Sequence, residues 1–118
     1  MKILMIRPRT LLAAMLLAAP ALLVGHAASA EDSTLKITIK DHKFSPDEIR
    51  VQAGKAVVLQ IKNEDSTAEE FESHELKVEK VIAGGKEGTV RLKPLKAGRY
   101  PFVGEYHEST AKGVVIAE

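Results

Sequence analysis

The chain has 118 residues, 17 Lys and Arg against 16 Asp and Glu, and no cysteine. A chain of this length supports one small domain, and the absence of thiols excludes disulfide staples, Cys-based zinc fingers, redox dithiols and a His₂Cys blue-copper centre. The near-neutral balance hides an asymmetry, because three of the basic residues and none of the acidic ones fall in positions 1–30. Residues 31–118 then carry 14 basic and 16 acidic side chains, a net charge of −2, with no basic concentration of the kind nucleic acid requires.

Positions 1–30 read as a secretory signal peptide. Lys2, Arg7 and Arg9 form a cationic start, the run "TLLAAMLLAAPALLVG" is apolar but broken by Pro20, and "ASA" ending at Ala30 is a small-residue cleavage site. A retained anchor is the alternative, although the apolar run is short for a spanning helix. The expected domain therefore covers 31–118 and the expected location is the periplasm.

From residue 34 the pattern is that of β-structure. In 34–40 Leu35, Ile37 and Ile39 alternate with polar residues, which predicts a half-buried strand. Pro46 interrupts pairing, Ile49 and Val51 resume it, and "AGK" at 53–55 marks a turn. Val57, Leu59 and Ile61 predict the next strand, which runs into the polar turn 63–67. The segment 68–82, "AEEFESHELKVEKVI", has helical composition, but Leu76, Val78 and Ile82 keep a period of two. It is read as a strand with a short helical turn near 68–70. "AGGKEG" is a turn, "TVRLK" a strand, "PLKAGRY" a loop bounded by Pro and Gly, and "YPFVGEY" and "KGVVIAE" are the closing strands. Seven or eight short strands without a long helix predict an all-β, antiparallel Greek-key sandwich of two sheets.

The order of these segments resembles the cupredoxin family. "FSPDEIRVQAGKAVVLQIKNED" is similar to the N-terminal half of that fold, and "PLKAGRYPF" with "AKGVVIAE" to the C-terminal half. "NEDSTAEEFESHEL" and "GRYPFVGEYHESTAKG" are most similar to the periplasmic cupredoxin-like proteins associated with bacterial iron permeases. That resemblance implies a metal-binding accessory protein, not an enzyme in its own right. Its cofactor would be iron or copper and its partners a membrane iron permease and an associated periplasmic iron-binding protein. The positions that hold the blue-copper ligands depart from the pattern. The first His position is Glu69, the Cys position lies near Glu105, the second His position is Glu108 or His107, and the Met position is Ala111.

Carboxylate and imidazole suit Fe, Mn(II), Cu(II) or Zn(II) and disfavour Cu(I). The expected metal ligands are Glu70, Glu105 and His107, with Glu69 and His42 as further candidates. Residues two apart on a strand share a face, so Glu69 and Glu70 cannot both point to the site, and Glu70 is preferred on the resemblance. The plain alternative is that "AEEFESHELKVEK" is a solvated acidic face, on which Glu72, Glu75 and Glu79 are ordinary surface residues. His74 reads as surface, Phe44, Phe71, Tyr100 and Phe102 as core, and Tyr106 as a neighbour of the site. Two other functions fit the same residues: a divalent-metal scavenger without redox chemistry, and a metal-free sandwich that docks on a membrane partner through its acidic strand. Ser45, Ser66, Ser73 and Ser109 carry no nucleophile signature, which argues against a hydrolase.

Overall fold

Alternation of apolar and polar residues builds nine strands, which a computed structural model describes over residues 33–118, together with Ala18. The expected signal peptide otherwise lies outside the described residues. The strands are β1 (Ser33–Lys40), β2 (Lys43–Ser45), β3 (Glu48–Val51), β4 (Val57–Asn63), β5 (Glu69–Ser73), β6 (Val78–Ile82), β7 (Glu87–Leu92), β8 (Gly98–Gly104) and β9 (Lys112–Ala117). One 3-10 turn, Glu105–His107, lies between β8 and β9. No helix among the described residues is long and apolar enough to cross a membrane.

The strands form two sheets, ordered β2-β1-β4-β7 and β3-β9-β8-β5-β6. The expected sandwich is present, with one refinement. Each sheet contains one parallel pair, β1 with β4 and β3 with β9, so the sheets are mixed and not purely antiparallel. Pro46, joined to Ser45 by a cis peptide bond, separates β2 from β3 and marks the passage from the first sheet to the second.

In the first sheet Leu35 sits opposite Leu59 and Ile37 opposite Ile61, and Leu59 in turn faces Val90, so inward positions stack across three strands. In the interior, Phe44 meets the Phe71 and Phe102 rings edge-on at centroid separations of 5.9 and 5.0 Å, and Phe71 and Phe102 lie 4.8 Å apart. Those three rings are buried, as expected, and Tyr100 packs against the core and donates its hydroxyl to Lys96 O.

The segment 68–82 differs from its sequence reading. It is a hairpin, not one strand with a helical lead-in. Ser73 accepts from the Leu76 N–H and donates to Pro101 O, and Lys77 turns the chain at φ 56°. β5 alternates strictly, and Leu76 in the four-residue turn shares the parity of Val78 and Ile82 in β6, which are half-buried and buried.

Candidate metal centre

β5 sets the orientation of every acidic residue on it. Phe71 is fully buried between the sheets, so Glu69 and Ser73, two residues either side, point inward with it. Glu70 and Glu72 face outward. The geometry therefore turns Glu69 into the interior at the end of the sandwich, where the last loop crosses.

Glu69 is 1% exposed. Its Oε1 accepts the backbone N–H of Tyr106 and of Glu70, each at 3.0 Å, and its Oε2 lies 2.5 Å from His107 Nδ1. With Glu69 ionised, Nδ1 donates, and the buried carboxylate has three N–H partners. Gly104 makes room for this group. A Cβ there would come within 2.6 Å of the Ala111 Cβ and 2.7 Å of the Glu69 Cδ. Counting along the sequence places the missing thiolate near Glu105, but the backbone that faces Glu69 and Ala111 belongs to Gly104.

The His107 ring stacks on His42, with centroids 3.5 Å apart and an interplanar angle of 12°. His42 occupies the two-residue loop between β1 and β2, where Lys40 pairs with Lys43. Asp41 and His42 have φ of 52° and 57°, the left-handed pair that a two-residue hairpin loop needs and that ordinarily favours Asn-Gly or Asp-Gly. The Asp65 carboxylate accepts both N–H groups of that loop, from Asp41 at 2.8 Å and His42 at 3.0 Å. The bond from the His42 N–H, followed by that from Asp41 and the nearby imidazoles, holds the Asp65 carboxyl below its ordinary value.

Glu70 and Glu105 lie on the other side of the 3-10 turn. Among the described residues, the group of three carboxylate or imidazole side chains whose ligand atoms all lie within 4.8 Å of one another is Glu70, Glu72 and Glu105. A hydrogen bond shared with Glu105, with partial burial and the Glu105 charge added, raises the Glu70 carboxyl above its ordinary value. Tyr106, half exposed, flanks the group; burial and then the Glu70 charge raise its phenol.

The five candidate ligands thus fall into two sets. Glu69, His107 and His42 form the inner one, and Glu70 and Glu105 join Glu72 in the outer one. Glu72, read as surface from the sequence, belongs to this second set because it shares the parity of Glu70. His74 points to solvent, 3.7 Å from Glu72. Asp65, Thr110 and Gly104 carry no metal-ligand signature, and only the "N-x-D" turn hinted at Asp65. Asn63 is fully buried and braces that turn: its Nδ2 donates to Thr67 O and Ile82 O, and its Oδ1 accepts the Asp65 N–H.

The cupredoxin-like domain family matches residues 12–117. The chain belongs to that family. The match begins inside the segment read as a signal peptide. This cupredoxin-like chain is 45% identical over 82 residues to an uncharacterized protein of Rickettsia prowazekii (strain Madrid E), covering 70% of the chain and 66% of the relative, just under two thirds of its length. Among solved structures, auracyanin A, a blue copper protein of Chloroflexus aurantiacus, superposes with a TM-score of 0.65 at 15% identity over 75% of this chain and 100% of its own. The metal-binding domain of the Streptococcus pneumoniae D39 Cu(I)-exporting P-type ATPase CopA, solved with Cu(I), gives 0.62 at 18% identity over 72% and 84%. At these identities the likeness is one of fold.

A blue-copper centre does not fit this member. The chain has no cysteine, its three methionines all precede residue 31, and Gly104 and Ala111 offer no sulfur beside Glu69. Carboxylate oxygen and imidazole nitrogen are the donors present, a set that fits a borderline or hard cation.

Proposed function

We propose that this cupredoxin-like protein is an exported metal-binding domain that takes Cu(II) or iron at the loop end of its sandwich and serves a membrane iron-uptake partner. The observation that carries the reading is the 3-10 turn Glu105–His107. It joins His107 to Glu69 and His42 on its inner side and brings Glu105 to Glu70 and Glu72 on its outer side. Metal-binding residues gather on loops held by a rigid scaffold, and here β5 and β8 supply the scaffold.

His107 and His42 would supply imidazole nitrogens, donors suited to Cu(II), with Glu69 behind His107 as the partner of its Nδ1. The outer carboxylates form an oxygen-only set suited to iron. Bound iron or copper would supply one-electron chemistry. The protein's own contribution is to orient the donors and shield them: Glu69 is held by two backbone N–H groups, and His107 is fixed through the nitrogen it shares with Glu69.

Calorimetric titration of the purified protein, with Cu(II) in air and with Fe(II) without oxygen, tests the reading. Expected is one-site binding that disappears in His42→Gly/His107→Ala. Loss only in Glu70→Ala/Glu105→Ala would move the site to the outer face. Binding of neither ion by a folded protein would overturn the proposal.

A second reading has its own support. Glu70 pairs with Val81 and Glu72 with Glu79, so the outer face of β5 and β6 presents carboxylates beside an exposed valine. A metal-free domain docking a cationic partner there would lose that partner on Glu72→Lys/Glu79→Lys, with no dependence on metal.

A further inference from the structure

His42 is a ring-bearing residue at a backbone position where glycine is favoured, and what holds it there lies two turns away in sequence. We propose that Asp65 is the positioning residue of the inner site: its carboxylate holds the Asp41-His42 loop in its left-handed conformation and so places the His42 imidazole face-on against His107. The inference deepens the metal reading and rests on it for its affinity arm alone.

The geometry is specific. Each Asp65 oxygen receives one N–H, Oδ1 from Asp41 and Oδ2 from His42. These are the two residues at positive φ in that loop. A left-handed non-glycine pair is sterically disfavoured and persists where its surroundings over-determine it. The anchor is itself anchored. The Asp65 N–H donates to Asn63 Oδ1, and Asp65 O accepts from Gly85 N–H at 2.9 Å, which ties this turn to the connection between β6 and β7. Next to it, Glu64 N–H donates to Ile39 O at 2.8 Å, which sets the distance between the Asp65 turn and the end of β1.

His42 is also held from its other side. Thr110 Oγ1 donates to His42 O at 2.6 Å, and Thr110 belongs to the same loop as His107. Asp65 therefore fixes the amide before the His42 side chain and Thr110 the carbonyl after it. With both ends of the residue clamped, the backbone that carries the ring is fixed where the ring stacks on His107, centroids 3.5 Å apart. Neither Asp65 nor Thr110 belongs to either donor set; both act through His42.

The test has one arm without metal and one with it. In the metal-free protein, NMR cross-peaks between the ring protons of His42 and His107, and the upfield ring-current shift that stacking causes, are expected in the wild type. They should vanish in Asp65→Ala and weaken in Asp65→Asn, which keeps one carbonyl oxygen. With Cu(II) as the probe, Asp65→Ala should weaken binding about tenfold, the usual consequence of losing a support behind a ligand. His42→Gly added to Asp65→Ala should then cost little more than His42→Gly alone, because the two act as one unit. Ring contacts that persist in Asp65→Ala, or additive losses of affinity, would overturn the assignment. If Asp65→Ala fails to fold, Asp65→Asn and Thr110→Val carry the same ring-contact test, and unchanged contacts in both would overturn it. If the wild type binds no Cu(II), the metal reading falls while the metal-free arm still decides the role of Asp65.

Discussion

Glu69 and Glu70 are neighbours on β5, and they occupy opposite environments. Glu69 is sealed inside, with two backbone N–H donors on one oxygen and an imidazole against the other. Glu70 faces outward into two other carboxylates, with Tyr106 beside it. The same side chain is therefore satisfied in one place and crowded in the other, and a shift of one residue along the strand exchanges them. A buried carboxylate is tolerated when hydrogen bonds replace its water, whereas a carboxylate set against another, as Glu70 is against Glu105, gains affinity for a proton.

The largest expected effect breaks the inner member of the pair. Glu69→Ala leaves the Tyr106 and Glu70 N–H groups and His107 Nδ1 without their acceptor, and should lower stability by on the order of 3 kcal/mol in urea denaturation. Glu70→Ala should leave the denaturation midpoint close to that of the wild type, as an outward-facing substitution does. Equal losses in the two variants would show that the asymmetry is unreal.

Next comes the space that Glu69 occupies. Gly104→Ala places a methyl within 2.6 Å of the Ala111 Cβ, so β8 or the last loop must shift. A cost of about 2 kcal/mol is expected, with altered amide shifts at Glu69 and His107. Unchanged spectra would mean that the inner site is looser than its geometry.

Glu70 and Asp65 predict opposite pH behaviour in the metal-free protein. The Glu70 carboxyl is raised above its ordinary 4.5, so its contribution is fully present below that value and is lost as pH rises through its higher folded value. Glu70→Gln should flatten that decline. The Asp65 carboxyl is lowered below its ordinary 3.8, so its contribution is present above that value and is lost as pH falls through the lower folded value. Asp65→Asn should remove that acid-side loss. Thermal melts across the acid range measure both slopes, and slopes of the same sign would contradict the assignment.

A last variant, with a small effect on stability, separates support from function. His42→Gly relieves a left-handed residue but deletes the ring stacked on His107, two opposed terms that should leave stability within about 1 kcal/mol of the wild type. Cu(II) affinity should nevertheless fall by more than about tenfold. A variant that keeps full affinity would remove His42 from the ligands.

The sandwich was legible in the sequence because its evidence is local. Leu35, Ile37 and Ile39, then Val57, Leu59 and Ile61, alternate as strands must when one face is buried. Pro46 and the glycine-bearing turns mark where pairing stops. The parity of Glu69 and Glu70 was half legible: the strand period states that one of them faces inward, and the burial of Phe71 decides which. The hairpin at 74–77 was not legible, because a four-residue turn preserves the period-two pattern on both sides of it. The parallel pairs were hidden too, since strand order is a property of the packed chain and not of any one segment.

The amino-acid sequence by itself determined the class of fold and the chemistry available to it: a thiol-free β-sandwich whose loop end carries carboxylates and imidazoles. Only the tertiary structure decided how those groups are divided. Alternation along β5 sends Glu69 inward and Glu70 outward. Asp65 and His42, 23 positions apart, meet only because the first sheet sets the β4–β5 turn beside the β1–β2 loop. Local pattern records which face a residue takes, but contacts between distant turns depend on how the sheets are ordered and packed.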